Sequence, residues 1–372
     1  MSWYYSVRLF QSLLLLLTIS CCTIVYGQDP SFSQHKFNKI YFNPAYAGYN
    51  EEHHIALAYR NLWPNVPGIP FAGPLANYQL SADFFFREGQ ARRSMMAFTG
   101  AVGGFCNQDF EGEGHLMTST VGLSFAQHFP VVQRASEFPR LLLSFGLKAY
   151  AVNVRVNWDK LVSSDELSVD HGIIGSTSGR TGIGQRWGGD FDFGGLIINN
   201  YKGQSNWYNE IGFAAAHIVA SPLALSQSND VSRKVPTKYI ASYRTKFVAV
   251  PKQLYTGVTL LFEKQANFYE LNTGFDIYLG LNKRNGTTPI ILSIGHRTSI
   301  IQFKKNTKAF IVGIGHEGYF RKGNQPILYY LGFAADIPYG GLSYQTFGAY
   351  ELSLGISISK RRQGEKTDCV SF

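Results

Sequence analysis

Three stretches of the chain hold residue types that could do chemistry. Gly313-Ile314-Gly315-His316-Glu317-Gly318 has the GxGxxG spacing with which a glycine-rich turn sets a helix N-terminus against a phosphate. The residues that follow, Tyr319-Phe320-Arg321-Lys322-Gly323-Asn324, read as a turn, so the helix is missing. The glycines read instead as relief for strand curvature and packing. Asp109-Phe110-Glu111-Gly112-Glu113-Gly114-His115 places three carboxylates two residues apart, a spacing at which oxygens could hold calcium. The later bidentate acid of a helix-loop-helix calcium site is absent, and a solvated hairpin tip accounts for the run as well. Asp159, Asp165, Glu166, Asp170 and His171 would suit a surface hydrolase, yet no base, nucleophile and orienter stand at a recognisable catalytic spacing. His128, His217, His296 and His316 are single histidines on alternating segments, where polar lumen residues are expected. These residues point to no enzyme, no cofactor and no metal.

The elements that would position them begin after a leader. Residues 1–27 read as a signal peptide, with Arg8 as the basic n-region, an apolar run from Leu9 to Ile19, and Val25-Tyr26-Gly27 before the cleavage point. The rival, a lipid anchor on Cys21 or Cys22, has a poor lipobox in Thr18-Ile19-Ser20. Cleavage removes one of 34 basic residues and none of the 25 acidic ones, leaving the mature chain at +8. An exported protein rarely meets nucleic acid, so that charge points to another partner. Charged residues are only 16% of the chain, aromatics reach 15%, and there are 38 glycines. A soluble core rarely needs so many rings, whereas a barrel with aromatic girdles does.

From His54 onward apolar side chains recur every second residue. Leu352, Leu354, Ile356 and Ile358 alternate with Glu351, Ser353, Gly355 and Ser357. Phe275, Ile277, Leu279 and Leu281 alternate with Gly274, Asp276, Tyr278 and Gly280. Several stretches alternate for about 10 residues or more, enough for a tilted strand to cross a bilayer. The reading is all-β: a transmembrane antiparallel β-barrel of about 14 strands, outer-membrane type. The segments lie near 54–60, 76–86, 95–104, 117–129, 140–154, 188–200, 208–218, 237–249, 253–264, 266–282, 288–299, 308–318, 326–337 and 348–360. The barrel would occupy 49–360, with a periplasmic C-terminal tail at 361–372.

If the first strand runs outward, the long connections 61–75, 105–116, 155–187 and 219–236 are external and the short ones periplasmic. A tight turn near Lys264 to Ala266 is the exception on the outer side. Cys106 then falls in an external loop and Cys369 in the tail, so the two cannot pair. The same topology collects Arg92, Arg93, Lys283, Arg284, Arg321, Lys322, Arg361 and Arg362 on a basic periplasmic face. Such a face suits anionic headgroups of the lipid bilayer or an acidic periplasmic partner.

Ahead of the barrel, residues 28–48 are crowded with Phe32, Phe37, Tyr41, Phe42 and Tyr46, and close on Asn43-Pro44-Ala45-Tyr46-Ala47-Gly48. Pro44 disfavours helix at Asn43 and Gly48 permits a turn, so the run ends in a bend. Placed before strand one, this segment lies at the periplasmic side or folds into the lumen. It is a candidate plug or partner-docking element through Phe32, Phe37, Tyr41, Phe42, Asn43, Pro44, Tyr46 and Gly48.

Gln28-Asp29-Pro30, Phe32-Ser33-Gln34, Phe37-Asn38, Tyr41 and Asn43 to Gly48 together resemble the N-terminal signature of the PorP/SprF family. The likeness continues through Tyr59-Arg60-Asn61, Trp63-Pro64, Asn157-Trp158-Asp159-Lys160-Leu161, Asp190-Phe191-Asp192-Phe193 and Tyr350-Glu351-Leu352-Ser353-Leu354-Gly355. Stretches at Val66 to Leu75 and Gly175 to Gly189 look like insertions. The resemblance implies a non-enzymatic outer-membrane barrel of the type IX secretion system and gliding motility. It would assist secretion or surface anchoring of a large adhesin-like client and contact the translocon and periplasmic ring components. A passive porin is the alternative that the barrel physics equally permits.

Overall fold

The computed structural model describes residues 29–63, 75–87, 99–112, 116–131, 141–156, 167–168, 172–173, 184–199, 207–219, 235–250, 253–283, 286–301, 307–322, 325–339 and 348–359. Strands dominate. The first five are β1 (Glu52–Leu62), β2 (Leu75–Arg87), β3 (Thr99–Glu111), β4 (Leu116–Val131) and β5 (Leu141–Arg155). Two-residue strands β6 (Leu167–Ser168) and β7 (Gly172–Ile173) pair only with each other. Then come β8 (Gln185–Asn199), β9 (Trp207–Ala216), β10 (Lys238–Val250), β11 (Leu254–Gln265) and β12 (Phe268–Lys283). The last four are β13 (Gly286–Ile301), β14 (Thr307–Lys322), β15 (Gln325–Tyr339) and β16 (Ala349–Ser359).

Fourteen of these form one closed antiparallel barrel in which each strand pairs with the next in the chain, β5 pairs with β8, and β1 returns to β16. The seam runs unbroken from Glu52 opposite Ser359 to Leu62 opposite Ala349. Closure is what hydrocarbon demands, because an open edge would leave unpaired amides where no water can reach them. No helix among the described residues is long and apolar enough to cross a membrane.

The alternation sorts side chains inside out. On β16, Leu352, Leu354 and Ile356 are exposed on the outer wall while Glu351, Ser353 and Ser357 are buried in the lumen. The same holds on β10, where Tyr239 and Phe247 face out and Lys238, Arg244 and Lys246 face in. All fourteen barrel segments expected from the alternation are strands. Two boundaries differ: β3 continues past Gly104 to Glu111, paired with β2 and β4, and β14 continues through Tyr319 to Lys322, expected as a turn but paired with β15. The expected connection 105–116 therefore shrinks to 112–115. Cys106 is not in a loop but midway along β3, exposed on the outer face. The GxGxxG run lies wholly within β14, where Gly315 leaves room for the ring of Tyr330.

The two ends of the barrel are unequal. One carries the connections 63–74, 156–184, 217–237 and 340–348, and the other has turns as short as 284–285 and 323–324. These are called below the long-loop and short-turn ends. The tight turn on the long-loop side is present at Ala266-Asn267, with Ala266 at φ 49°.

A nitroxide on Cys106, with Cys369→Ser removing the other cysteine beyond residue 27, is expected in lipid vesicles to be relaxed by dissolved oxygen and shielded from a water-soluble nickel chelate. Strong relaxation by nickel would place Cys106 in water and overturn the strand assignment.

Candidate functional site

The polar inner wall sets the problem that residues 29–51 solve. Carboxylates and ammonium groups removed from water need partners, since an isolated buried charge is costly. The segment supplies many of those partners. It enters at the long-loop end with Asp29, crosses the lumen, and joins β1 at the short-turn end. Its regular structure is slight: a single helical turn, Lys39–Phe42, then a 3₁₀ turn, Pro44–Tyr46, begun by the Asn43 side chain accepting from the Ala45 amide.

At the long-loop end Asp29 meets His217 Nε2 at 2.9 Å and Lys238 Nζ at 3.7 Å, and the other ring nitrogen of His217 meets Asp190 at 2.5 Å. Burial alone would lower the pKa of His217, but Asp29 and Asp190 outweigh it and raise it to about 10. Burial in turn works against the Asp29 carboxylate, and His217 and Lys238 overcome it and hold the group well below the usual range. Ser31 Oγ donates to Glu270 on β12.

Further in, the segment is clamped across the barrel seam. The Ser33 and Gln34 amides donate to the two oxygens of Glu351 on β16, at 2.6 and 2.9 Å. Arg60 on β1 reaches Ser33 Oγ at 2.6 Å, Asp336 on β15 at 2.7 Å and Glu351 at 3.2 Å. Arg297 on β13 adds Asp336 at 2.9 Å and Ser33 Oγ at 3.0 Å. Tyr330 donates to the Gln34 side chain. A mid-barrel tie follows: Lys36 pairs with Asp276 at 2.6 Å.

The aromatic residues fill what remains. Phe32 and Phe42 are buried against Ala58, Ala214, Ile240 and Leu261, with Tyr41 packed alongside. Phe37 stacks on Tyr330 with ring centroids 3.4 Å apart. Tyr41 hydrogen-bonds back to the Pro30 carbonyl, and its own carbonyl accepts from Lys148. Asn43 donates to the carbonyls of Gly195 and Phe213, and Tyr46 donates to Glu210 at 2.7 Å. Pro44 and Ala45 press so closely on β5 that their backbone leaves no room for a Cβ at Gly146. Gly48, at φ +63°, turns the chain into β1 and donates its amide to Asp83 at 2.7 Å.

All eight aromatic, polar and turn residues singled out in this segment therefore meet the barrel's inner surface. Lys283 ends β12 and Arg321 and Lys322 end β14, all at the short-turn end. Arg92, Arg93, Arg284, Arg361 and Arg362 lie outside the described residues, as do Glu113, His115, the acidic residues of 159–166, Asp170 and His171, Cys369, and the leader and tail. Asp109 and Glu111 sit on β3 rather than in a loop. Of the four histidines, His128 faces inward and bonds to the Ala47 carbonyl, and His217 holds Asp29. His296 and His316 do not line the lumen. They share the parity of Ile294 and Ile314 and pack outside on Phe310 with Tyr339 and on Tyr329.

The acceptors on the wall, such as Asp190, Glu210, Glu270 and Asp336, were not anticipated as site residues. Their signal is charge on the lumen parity of strands whose other parity is largely apolar, matched against the lysines and amides of the segment.

The family model described as type IX secretion system membrane protein PorP/SprF matches residues 24–356. No curated protein matches the chain. Among solved structures it is similar to a Pseudomonas aeruginosa FadL homologue, at 10% identity and TM-score 0.49, over 89% of this chain and 94% of that one. It is also similar to the CymD monoaromatic hydrocarbon channel, at 11% identity and TM-score 0.44, over 90% and 96%. The third is BamA from Haemophilus ducreyi, at 8% identity and TM-score 0.40, over 82% and 70%.

Arg60→Ala leaves Asp336 and Glu351 buried without the guanidinium that spans them. A loss of about 3–5 kcal/mol is expected, read as a lower unfolding midpoint in detergent. His217 has a folded pKa raised above its ordinary 6.5, so its contribution is complete below 6.5 and is lost as pH rises through about 10. The destabilisation caused by His217→Ala should therefore be full near pH 6.5 and shrink as pH passes 10. A destabilisation independent of pH would contradict the pairing.

Proposed function

The chain belongs to the PorP/SprF family of type IX secretion system membrane proteins, and from that premise we propose that it assists export or surface anchoring of one large adhesin-like client. It is an outer-membrane β-barrel, and its partners are membrane lipid and components of that secretion system. In the proposed orientation the long-loop end faces outward and receives the client, through the connections 156–184 and 217–237. The short-turn end, with Lys283, Arg321 and Lys322, faces the periplasm and contacts the translocon and its periplasmic ring. Association with gliding motility belongs to the same reading.

The observation that carries the proposal is the bonding of residues 29–51. A passive porin needs an aqueous lumen, whereas here the segment is tied to the wall at Asp29, Ser33, Gln34, Lys36, Tyr46 and Gly48. We infer that the segment is a plug, and that the work of the barrel is done at its two rims.

Two measurements test this. Deleting the gene should remove one large protein from the surface proteome; unchanged export and attachment of every adhesin would overturn the proposal. In planar bilayers the intact protein should be silent, and deletion of residues 29–42 should open steady conductance in a barrel that still folds. A conducting intact protein would favour the porin. A folded, sealed deletion variant that no longer exports the client would make the segment a docking element.

A further inference from the structure

The outer wall carries charge that no carboxylate on that wall matches. All six carboxylates between residues 238 and 359 (Glu263, Glu270, Asp276, Glu317, Asp336 and Glu351) are buried on the lumen side. Two lysines of the same stretch face the other way. Lys264 shares the parity of Leu260 and Phe262 on β11, and Lys308 that of Phe310 and Val312 on β14, all four exposed on the outer wall. Neither lysine has an ion-pair partner among the described residues. By contrast, β3, β4 and β9 contain neither lysine nor arginine.

Both lysines sit at the long-loop rim. Lys264 is the last residue but one of β11, and Lys308 is the second of β14. Lys264, Tyr269 and Ile300 pair in one row across β11 to β13. Thr298, Lys308 and Tyr339 pair in a second row across β13 to β15, two residues along β13 from the first. Lys264 Nζ stands 5.4 Å from the Tyr269 ring centroid, and the rings of Phe310 and Tyr339 stack 4.7 Å apart. A lysine midway across a lipid-facing wall is strongly unfavourable, whereas at headgroup level, which an aromatic belt marks, it costs little. Three strand spacings, about 14 Å of wall, separate β11 from β14. Away from the rim the same sector turns apolar, with Leu271, Ile294, Val312, Ile314 and Phe333 exposed.

We propose that Lys264 and Lys308, with the hydroxyls of Tyr269, Thr298 and Tyr339 between them, bind the headgroup of a phosphorylated glycolipid of the outer leaflet. The inference rests on the orientation taken above, with the long-loop end outward. Each ammonium meets one phosphate of a sugar headgroup phosphorylated at both ends. A disaccharide covers that span and a lipid with a single phosphate does not. The hydroxyls face the sugar, and the acyl chains lie on the apolar wall beyond.

The test is native mass spectrometry of the full mature chain released from detergent micelles, with three added lipids: bisphosphorylated lipid A, the same lipid stripped of its phosphates, and phosphatidylglycerol. One retained lipid A per chain is expected, with the other two held more weakly. Lys264→Gln and Lys308→Gln should each weaken lipid A binding about fivefold, the scale of one lysine at a lipid surface. The double variant should hold lipid A no better than its dephosphorylated form, and Lys308→Arg should retain it. Lys252→Gln, on the connection between β10 and β11 at the short-turn end, should change nothing. Removing a charge from a lipid-facing wall does not endanger folding. Equal retention of the three lipids, or equal loss in the Lys252→Gln and Lys308→Gln variants, would overturn the site. Orientation is read separately, by labelling Asn267→Cys on intact cells with a membrane-impermeant maleimide, Cys106 and Cys369 being replaced by serine. Labelling without phosphate-dependent binding overturns the lipid site alone. Binding without labelling overturns the orientation, and with it the outer leaflet as the source of the lipid.

Discussion

Everything in this molecule depends on the two-faced wall that a membrane imposes on a strand. Hydrocarbon outside requires an apolar outer parity, so the polar parity is forced inward. Lined with Asp, Glu, Lys and Arg, that interior must be filled with water or with matching groups. Here residues 29–51 bring the match. They carry amides, hydroxyls and two lysines to carboxylates on the wall, and pack rings against Ala58 and Ala214, and Ile40 and Ala47 against Ala101 and Ala126. Barrel and segment each answer the other's unsatisfied groups.

The clamp at Ser33 shows how far apart in sequence the cooperating residues lie. Arg60, Arg297, Asp336 and Glu351 come from four strands and converge within one hydrogen-bond network. At the other anchor Asp190 and Asp192, both on β8, hold His217. The stretches that carry the family resemblance, around Arg60, Asp190 to Asp192 and Glu351, thus meet in space on the N-terminal segment that carries its most specific part. What looked like scattered short motifs is one contact surface. The segment at 28–48 was set apart at first by its rings, but its backbone amides and its short polar side chains make the anchoring bonds.

The barrel was legible because a two-residue rhythm sustained over a membrane's thickness fits little besides a spanning strand. The rhythm fails where polarity near the end of a strand blurs it. Cys106-Asn107-Gln108-Asp109 reads as a loop, yet its residues alternate out and in and are held by β2 and β4. Only pairing across strands could show that. His296 and His316 are a different case, because counting from Ile294 and Ile314 already assigns them to the outer wall. The partners of the segment were not legible. Alternation says that Glu351 points inward, but not that it points at Ser33.

The direction of the segment has a further consequence, in the order of assembly. Asp29 sits at one mouth and Glu51 at the other, and the hydrogen bonds of Ser33 close a separation of 318 residues. Arg60 on the first strand and Glu351 on the last hold the same serine, so that anchor is complete only when the seam between those strands is closed. Contacts so distant in sequence form late and slowly. Because Asp29 comes to rest at the mouth opposite the short turns, the anchors of the segment span the ring from one mouth to the other.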